Sequence, residues 1–272
     1  MTIKQALTYA RENSNIEISK VKRLLKNITR LNDVQLVTRD DFELNDNQVD
    51  IFKKGIVELE KGYPLQYITH QQSFWGLDFY VDENVLIPQP DTEIAVECAL
   101  KILRLKQNQS VLDLCTGSGA IAISVAVNSD AEVWASDVSE KALEIAKRNS
   151  TDNNAEVSFI LSNMFENING QFDIIISNPP YIESSTIPTL DIEVQNEPHL
   201  ALDGGSDGLD FYRIIANQAP NYLNEDGILI LEIGYNQKEA VEDLLKANFI
   251  NIETYKDYAN NDRVIVAQKS RR

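Results

Sequence analysis

The sequence is poor in the side chains that build disulfide frameworks and metal centres. Its 272 residues include only two cysteines, Cys98 and Cys115, and two histidines, His70 and His199. Two cysteines are too few for a disulfide framework and lack metal-site spacing, so we expect buried thiols in a reducing compartment. Histidine-rich metal centres and most catalytic triads are hard to build from two histidines. We therefore predict a protein without a metal ion.

The chain also lacks long apolar runs. No stretch approaches the length that a membrane span needs, and the first residues (MTIKQALTYARENS) contain no apolar signal-peptide core. Hydrophobic residues nevertheless make up 43% of the chain, enough to bury a substantial core in one large domain or two. We expect a cytoplasmic protein with no membrane association.

Positive charge is scarce, and its distribution is uneven. Residues 1–70 contain 11 Lys and Arg against 10 Asp and Glu, a net charge of +1. Residues 71–272 contain 14 against 32, a net charge of −18. So acidic a region disfavours a phosphate backbone as its substrate and fits a basic protein partner better. The overall negative charge is explained equally well if it only keeps the protein soluble and has no role in binding a partner.

Helical periodicity dominates the start of the chain. Apolar residues recur at helical spacing over residues 2–13, 17–30 and 45–60. Gly62 follows the third of these segments, where glycine commonly ends a helix. We predict a small helical domain over residues 1–62.

The rest of the chain changes character twice. Residues 63–90 crowd aromatic side chains around turn-forming residues, which predicts a β-hairpin linker. Over residues 91–272, short apolar runs alternate with helical patterns, so we predict an α/β domain with a parallel sheet covered on both faces. The polar segment 182–206 has no periodicity and is interpreted as a functional loop over the site, in which Glu197 either binds substrate or is solvated. Strands are predicted at 110–115, 131–137, 157–161, 172–177, 227–233, 250–256 and 263–268.

Four residues follow the fourth predicted strand: Asn178, Pro179, Pro180 and Tyr181. The position just beyond the carboxyl end of a strand is where open α/β sheets bind ligands. The two prolines stiffen the loop and leave carbonyl groups free to accept hydrogen bonds, while Asn178 adds a side-chain acceptor and Tyr181 a flat ring. Rigid acceptors beside a ring suit a planar substrate that carries an NH2 group. The loop therefore indicates methylation of an amide or amino nitrogen, with a base and an amide equally open.

A glycine-rich turn follows the first predicted strand. Residues 115–119 (C-T-G-S-G) lead from the strand into a helix, so that backbone N–H groups face an incoming ligand. Asp137 ends the second strand about 20 residues later, where a carboxylate can bind ribose hydroxyls. NAD fits both features, although the full dinucleotide pattern G-x-G-x-x-G is absent. A simple helix cap explains the turn when it is taken alone.

The order D-x-C-T-G-S-G, Asp137, N-P-P-Y resembles the S-adenosylmethionine-dependent methyltransferases. More narrowly, it resembles the HemK/PrmC-type family, the peptide chain release factor N5-glutamine methyltransferases. The resemblance covers the whole chain and includes further motifs: P-L-Q-Y at 64–67, F-W-G at 74–76, L-I-P-Q-P-D-T-E at 86–93, E-V-Q-N-E-P at 193–198, A-L-D-G-G-S-D-G-L-D-F-Y-R at 201–213 and D-Y-A-N-N-D-R-V at 257–264.

This resemblance implies a fold, a cofactor and a substrate. The fold is an α/β, Rossmann-like class I methyltransferase domain, with a mostly parallel seven-stranded sheet whose last strand is antiparallel, and a small N-terminal helical domain that docks release factors. The implied cofactor is S-adenosyl-L-methionine. The implied substrates are peptide chain release factors, methylated on the side-chain amide nitrogen N5 of the glutamine in a Gly-Gly-Gln motif. No direct contact with nucleic acid is expected.

The family's functional residues carry over onto matching positions. The resemblance implies that Asn178 contacts both the transferred methyl group and the substrate amide. It implies that Tyr181 stacks on that amide. The implied catalytic residues are Asn178, Pro179 and Tyr181. The implied substrate-binding residues are Asn178, Pro179, Pro180 and Tyr181. The implied cofactor-binding residues are Cys115, Thr116, Gly117, Ser118, Gly119, Asp137, Met164 and Asn178.

Three positions depart from the family pattern, and two other functions remain open. Cys115 stands where glycine is common, Asn163 where an acidic residue is usual, and Gln89 where arginine is usual. The N-P-P-Y loop also suits exocyclic base amines, so an N6-adenine-type DNA or RNA amino-methyltransferase is the alternative. That activity needs base flipping and usually a basic track, which the charge of −18 disfavours. The third hypothesis is a non-enzymatic binding module with a decayed cofactor site.

Overall fold

The computed structural model describes residues 1–107 and 109–271 and divides the chain into two compact units. The first unit contains residues 1–71 and, from much later in the sequence, the short segment 191–196. The second unit contains the remainder of the chain. Residue 272, the predicted end of the α/β domain, lies outside the described residues.

The first unit consists of helices around one apolar core. These helices are α1 (Ile3–Asn13), α2 (Ile18–Thr29), α3 (Asp33–Thr38), α4 (Asp46–Glu60) and α5 (Leu65–Thr69). Helices α1, α3 and α4 each begin with a capping box, in which a Thr or Asn side chain and a glutamine side chain accept each other's backbone N–H. The helices predicted at 2–13, 17–30 and 45–60 are confirmed as α1, α2 and α4. The periodicity does not predict α3 and α5.

The helical unit continues to Gln71 instead of ending at residue 62. Leu65 of α5 is buried in the same apolar core as the side chains of α1, α2 and α4, and Ile68 packs against that core. Because α5 contributes to this core, residues 63–71 are part of the helical unit and not part of a linker.

The predicted hairpin is shorter than the segment 63–90. Strands β1 (Gln72–Phe74) and β2 (Leu77–Phe79) pair in antiparallel fashion. Both residues of the turn between them, Trp75 and Gly76, have positive φ, as tight two-residue hairpin turns require. The hairpin belongs to the second unit, because the rings of Phe74 and Phe79 are buried in its core.

The second unit is built on a seven-stranded sheet. Its strands are β3 (Ser110–Leu114), β4 (Glu132–Asp137), β5 (Val157–Leu161), β6 (Phe172–Ser177), β7 (Leu223–Glu232), β8 (Phe249–Lys256) and β9 (Asp262–Lys269), in the order β5-β4-β3-β6-β7-β9-β8. Neighbouring strands are parallel, except that β9 is antiparallel to both β7 and β8. The predicted mostly parallel sheet with an antiparallel last strand is confirmed.

Both faces of this sheet are buried. On β6, Ile174 and Ile176 join the core on one face, and Ile175 joins the core on the other. The same alternation separates Val111 from Leu112 on β3. A central strand that is buried on both faces must be apolar at nearly every position, which is why these strands are visible in the sequence.

Helices cover the sheet and connect its parallel strands. The remaining α-helices among the described residues are α6 (Glu93–Leu103), α7 (Ala120–Asn128), α8 (Glu140–Asp152), α9 (Ile192–Gln195), α10 (His199–Leu202), α11 (Asp210–Tyr222) and α12 (Lys238–Leu245). The chain leaves β3 towards β4 and β5, and then crosses to β6 on the other side of β3. Open α/β sheets bind ligands beside such a reversal, at the carboxyl ends of the strands. Within the described residues, no helix is both long and apolar enough to cross a membrane.

The polar segment 182–206 is divided between the two units. Residues 191–196, which contain α9, belong to the helical unit. There the side chain of Ile192 occupies the space that a β-carbon on Gly62 would need, and Asn196 Nδ2 donates a hydrogen bond to the carbonyl oxygen of Gly62 at 2.9 Å. The rest of the segment belongs to the second unit.

Candidate active site

The glycine turn between β3 and α7 depends on an unusual backbone conformation. Cys115, Gly117 and Gly119 have φ values of 61°, 54° and 82°, in the left-handed region that favours glycine. A β-carbon on Gly119 would lie 2.8 Å from the Ile123 side chain and 3.2 Å from Cβ of Ala146, so only glycine fits there. A β-carbon on Gly117 would meet no atom within 4 Å, so this glycine borders open space.

A buried carboxyl group supports the turn from below. Asp113, on β3, is fully buried, and its Oδ2 accepts hydrogen bonds from Thr116 Oγ1 at 2.6 Å and from the backbone N–H of Ala122 at 3.2 Å. Burial raises the pKa of Asp113 to about 7, against the lowering effect of these two bonds. Thr116 and Ser118 are themselves buried. Both therefore stabilise the turn from within.

Asp137 connects the end of β4 to the same turn. Its Oδ2 accepts the backbone N–H of Gly117 at 2.9 Å, and its Oδ1 accepts the backbone N–H of Ser139 at 2.9 Å. Burial raises the pKa of Asp137, and backbone hydrogen bonds from Ser139, Gly117 and Val138 oppose that rise. The carboxylate has about four lone-pair sites, so it can still accept a hydrogen bond from a ligand hydroxyl.

Two sulfur atoms lie close together at the start of the turn. Cys115 Sγ is 3.8 Å from Met164 Sδ, and Met164 has a positive φ of 48°. Its carbonyl oxygen accepts a hydrogen bond from Ser162 Oγ at 2.8 Å, which holds this irregular conformation. Burial raises the pKa of the Cys115 thiol well above its ordinary value, so the thiol stays protonated.

The residues Asn178 to Tyr181 follow β6 directly, beside the turn after β3. Asn178 Nδ2 donates a hydrogen bond to Thr92 Oγ1 at 3.3 Å. The loop is held from outside, because Gln237 Nε2 donates to the carbonyl oxygen of Tyr181 at 2.9 Å. A β-carbon on Gly204 would lie 2.7 Å from Cα of Tyr181, so the loop packs closely against a second backbone segment.

These elements enclose a cavity of about 440 Å³, a typical size for a small-molecule site. Six of the predicted site residues line it: Cys115, Gly117, Asp137, Met164, Asn178 and Pro180. Its other walls include Ala142, Ser162 and Phe211, together with residues 83–86, Pro198, Leu200 and Ala201. The lining is mainly apolar, with carboxylates at Glu83 and Asp137 and side-chain amides at Asn84, Asn163 and Asn178. Such a cavity suits a ligand that combines a hydroxylated sugar with flat or apolar groups.

Five other predicted site residues do not line this cavity: Thr116, Ser118, Gly119, Pro179 and Tyr181. The Tyr181 ring packs against the apolar core on one face of the sheet, and its hydroxyl group donates to Glu232 Oε1 at 3.4 Å. Burial first, and then the charge of Glu232, raise the pKa of Tyr181 well above its ordinary value, so the hydroxyl stays neutral.

A buried glutamate joins the two segments that cover the cavity. Glu197, which the sequence placed in a polar loop, is 9% exposed, and its Oε2 accepts the backbone N–H of Ile87 at 2.9 Å. Burial raises the pKa of Glu197 to about 7, against the lowering effect of this hydrogen bond. The glutamate is therefore not a solvated charge.

A charged cluster that the sequence does not reveal lies behind Tyr181. Arg263, from β9, pairs with Asp91 at 3.2 Å and with Asp257 at 3.1 Å. Glu232, at the end of β7, is 2% exposed, and its Oε2 has no hydrogen-bond partner of good geometry among the described residues. Asp91, Glu232 and the Asp257–Arg263 pair come from three distant parts of the chain, so their spacing in the sequence predicts no cluster.

Comparisons with known proteins identify relatives along the whole chain. The PrmC N-terminal domain family model matches residues 3–69, and the methyltransferase small domain family model matches residues 90–194. The chain is 38% identical to the release factor glutamine methyltransferase of Clostridium acetobutylicum, over 98% of each protein. It is 43% identical to the protein of the same name from Flavobacterium psychrophilum, over 89% of this chain and 88% of that protein.

Solved structures share the fold at low sequence identity. A methyltransferase from Pyrococcus furiosus superposes on 84% of this chain, and the match covers the whole of the Pyrococcus protein, with a TM-score of 0.57 and 19% identity. A 16S rRNA methyltransferase from Thermus thermophilus matches 74% of this chain and 50% of its own, with a TM-score of 0.54 and 21% identity. Fold, cavity and nearly full-length relatives agree, and the chain belongs to the release factor glutamine methyltransferase family.

Proposed function

We propose that this protein transfers a methyl group from S-adenosyl-L-methionine to the side-chain amide nitrogen, N5, of the glutamine in the Gly-Gly-Gln motif of peptide chain release factors. Its family membership over nearly the full length supports this function. The observation that carries the proposal is that Asn178 lines the same cavity as the glycine turn and Asp137. An amide-binding residue and a nucleotide-type site therefore share one enclosed space.

The residues of the cavity fit the proposed cofactor. Asp137 lines the cavity and can still accept a ribose hydroxyl, and Met164 offers an apolar surface to the adenine ring. Cys115 and Gly117 would lie under the methionine part, while the buried Thr116, Ser118 and Gly119 hold the turn in shape. When bound, S-adenosyl-L-methionine supplies an electrophilic methyl group on a sulfonium centre.

The protein's contribution to the reaction is to orient a weak nucleophile. The lone pair of an amide nitrogen is delocalised into its carbonyl group, so the nitrogen reacts only when it is well aligned. Asn178 Oδ1 and the carbonyl oxygen of Pro179 would accept the two hydrogens of the glutamine NH2 group and direct its lone pair at the methyl group. Positioning of this kind can lower a barrier by up to roughly 7–11 kcal/mol. Pro180, on the cavity wall, keeps the loop rigid, and Tyr181 anchors it through Glu232.

Charge supports a protein substrate over a nucleic acid. A net charge of −18 over residues 71–272 repels a phosphate backbone and disfavours direct nucleic-acid binding, including the N6-adenine-type reaction. The proposal assigns release-factor docking to the helical domain predicted at residues 1–62, and methyl transfer to residues 91–272. Because release factors act in translation, the proposed location is the cytoplasm, without membrane association.

A labelling experiment tests this function. The purified protein is incubated with methyl-labelled S-adenosyl-L-methionine and, in parallel, with a release factor, the same factor with the Gly-Gly-Gln glutamine replaced by alanine, DNA and ribosomal RNA. We expect label only in the unmodified release factor. Label in a nucleic acid but not in the release factor would overturn the proposal.

The variant Asn178→Ala tests the role of the loop. We expect it to lose at least about 100-fold in kcat, because the amide is no longer oriented, while binding of the cofactor changes little. Asn169→Ala is the matched control, since Asn169 is exposed and its side chain donates only to the carbonyl oxygen of Asn167. Near-normal turnover of Asn178→Ala would show that the loop does not act in this way.

A further inference from the structure

A row of polar side chains continues from Asn178 into the protein interior. Asn178 Nδ2 donates to Thr92 Oγ1 at 3.3 Å, and Thr92 is 6% exposed. The Thr92 hydroxyl lies near the Glu232 carboxylate and lowers the pKa of that group, and Oε2 of Glu232 is buried with no hydrogen-bond partner among the described residues. Glu232 Oε1 accepts the Tyr181 hydroxyl. The row therefore connects two ends of the same loop.

The direction of hydrogen bonding along this row decides which end of the Asn178 amide faces the cavity. An ionised carboxylate only accepts hydrogen bonds, so the Thr92 hydroxyl gives its single hydrogen to Glu232. Only oxygen lone pairs then remain for Asn178, and these require the Nδ2 end. The Oδ1 end, which makes no hydrogen bond to any described residue, is left for the cavity that Asn178 lines.

A neutral Glu232 permits the opposite arrangement. A protonated carboxyl group can donate to Thr92, and Thr92 can then donate to Asn178. The amide would turn its oxygen towards Thr92 and its NH2 group towards the cavity. An NH2 group cannot accept hydrogens from a substrate amide, so only the arrangement with ionised Glu232 suits the proposed substrate.

The surroundings of Glu232 place its ionisation near neutral pH. Burial is the largest influence and raises the pKa of Glu232, and the charge of Asp91 raises it further. The Thr92 hydroxyl, the charge of Arg263 and the Tyr181 hydroxyl lower it, and the resulting pKa is about 7. Two further groups complete this environment. The Tyr212 hydroxyl donates to the backbone oxygen of Glu232 at 2.9 Å, and Asp257 shares Arg263 at 3.1 Å.

We propose that Thr92 and Glu232 are positioning residues, which set the orientation of the Asn178 amide so that its oxygen faces the substrate. The inference rests on the proposed function, because the orientation matters only for a substrate that offers an NH2 group. Neither residue lines the cavity. Their effect on the reaction passes entirely through Asn178.

Substitutions at Thr92 test this role. Thr92→Val keeps the shape of the side chain but removes the hydroxyl, and Thr92 caps no helix through its side chain. We expect kcat to fall about 10- to 100-fold with little change in KM for S-adenosyl-L-methionine. Thr92→Ser restores the hydroxyl and should recover kcat to within about threefold. Thr254→Val is the matched control. The Thr254 hydroxyl donates a hydrogen bond to the Glu242 carboxylate at 2.8 Å, and neither residue lines the cavity.

The pH dependence of kcat gives a reading that a purely structural role would not change. For the wild-type enzyme, we expect kcat to rise as pH passes the pKa of Glu232, near 7. The side-chain amide in Glu232→Gln can either donate a hydrogen bond to Thr92 or accept one from it, so it does not fix the Asn178 orientation. We therefore expect kcat of this variant to be low at every pH and to show no rise. An unchanged rise in Glu232→Gln would overturn the inference.

The two proposals fail in different ways. A wild-type protein that methylates no release factor would overturn the proposed function. A wild-type protein that does so, with Thr92→Val within threefold of its kcat or with only KM raised, would overturn the positioning role alone. Thermal unfolding of each variant shows whether a lost rate reflects lost folding instead, and the Glu232→Gln profile then decides the question.

Discussion

Asn149 is the side chain whose loss should do most damage around the glycine turn. It lies on α8 and is completely buried. Its Oδ1 accepts the backbone N–H of Tyr80 at 2.7 Å, and its Nδ2 donates to the carbonyl oxygens of Tyr80 at 3.0 Å and Ser118 at 2.9 Å. One side chain therefore joins the segment after β2, helix α8 and the turn after β3.

The cost of Asn149→Ala follows from the groups that it leaves behind. The Ser118 carbonyl loses a partner in the interior and half-buried Tyr80 loses two backbone hydrogen bonds, and each group that is left unsatisfied costs about 1–3 kcal/mol. Small shifts and entry of water recover part of this cost, so we expect the free energy of unfolding to fall by about 3–5 kcal/mol. That is a large share of the roughly 5–15 kcal/mol that stabilises a typical domain.

Asn153→Ala is the matched control on the same helix end. Asn153 Nδ2 donates to the carbonyl oxygen of Asp78 at 2.9 Å and to that of Asn149 at 3.0 Å, but the residue is only half-buried. Because water can replace its bonds, we expect a loss below about 1 kcal/mol.

Urea unfolding followed by tryptophan fluorescence measures both variants. Trp75 and Trp134, the two tryptophans of the chain, both belong to the second unit, so the signal reports on the unit that contains Asn149. A loss for Asn149→Ala that is below about 1 kcal/mol, or no larger than the loss for Asn153→Ala, would refute the reasoning.

Two further predictions concern a buried acid and a strained backbone. Burial raises the pKa of Glu197 from its ordinary 4.5 to about 7, so its contribution to stability is complete below pH 4.5 and is lost as pH rises through 7. Glu197→Gln should remove this pH dependence. Between pH 4.5 and 7, we expect the free energy of unfolding of the wild type, measured with urea, to fall by on the order of 3 kcal/mol relative to that of the variant. An equal change with pH in both proteins would contradict the raised pKa of Glu197. Cys115 has a φ of 61°, so Cys115→Gly should be more stable than Cys115→Ala by about 1 kcal/mol. The reverse order in chemical denaturation would mean that the turn relaxes in the variants.

The sheet was largely predictable because its strands are buried on both faces. A run such as FDIIIS contains too little polarity to lie at a surface, and the structure places it as central strand β6. The glycine turn and Asp137 were predictable for a different reason, since both follow their strands directly in sequence. Six of the eleven predicted site residues line one cavity, as expected for segments that end at the same edge of a parallel sheet.

The rest depends on contacts between distant parts of the chain. Helix α5 is too short to show a helical period, and it is stabilised by burial of Leu65 and Tyr67 instead. The sequence shows Glu232 as one acidic residue near the end of an apolar predicted strand and Arg263 as one basic residue at the start of another. Only folding brings them to Tyr181 and reveals that Tyr181 anchors the loop while Asn178 faces the cavity.

The division of the loop 182–206 has a consequence for exchanging modules between relatives. The helical unit is discontinuous in sequence, since residues 191–196 complete it through Asn196, which bonds to Gly62, and through an ion pair between Glu193 and Lys20. A chimaera joined only at residue 71 would therefore combine one protein's helices with another protein's α9. The unit to exchange is therefore the pair of segments 1–71 and 191–196. Because the two segments pack together, a substitution in one requires a matching substitution in the other.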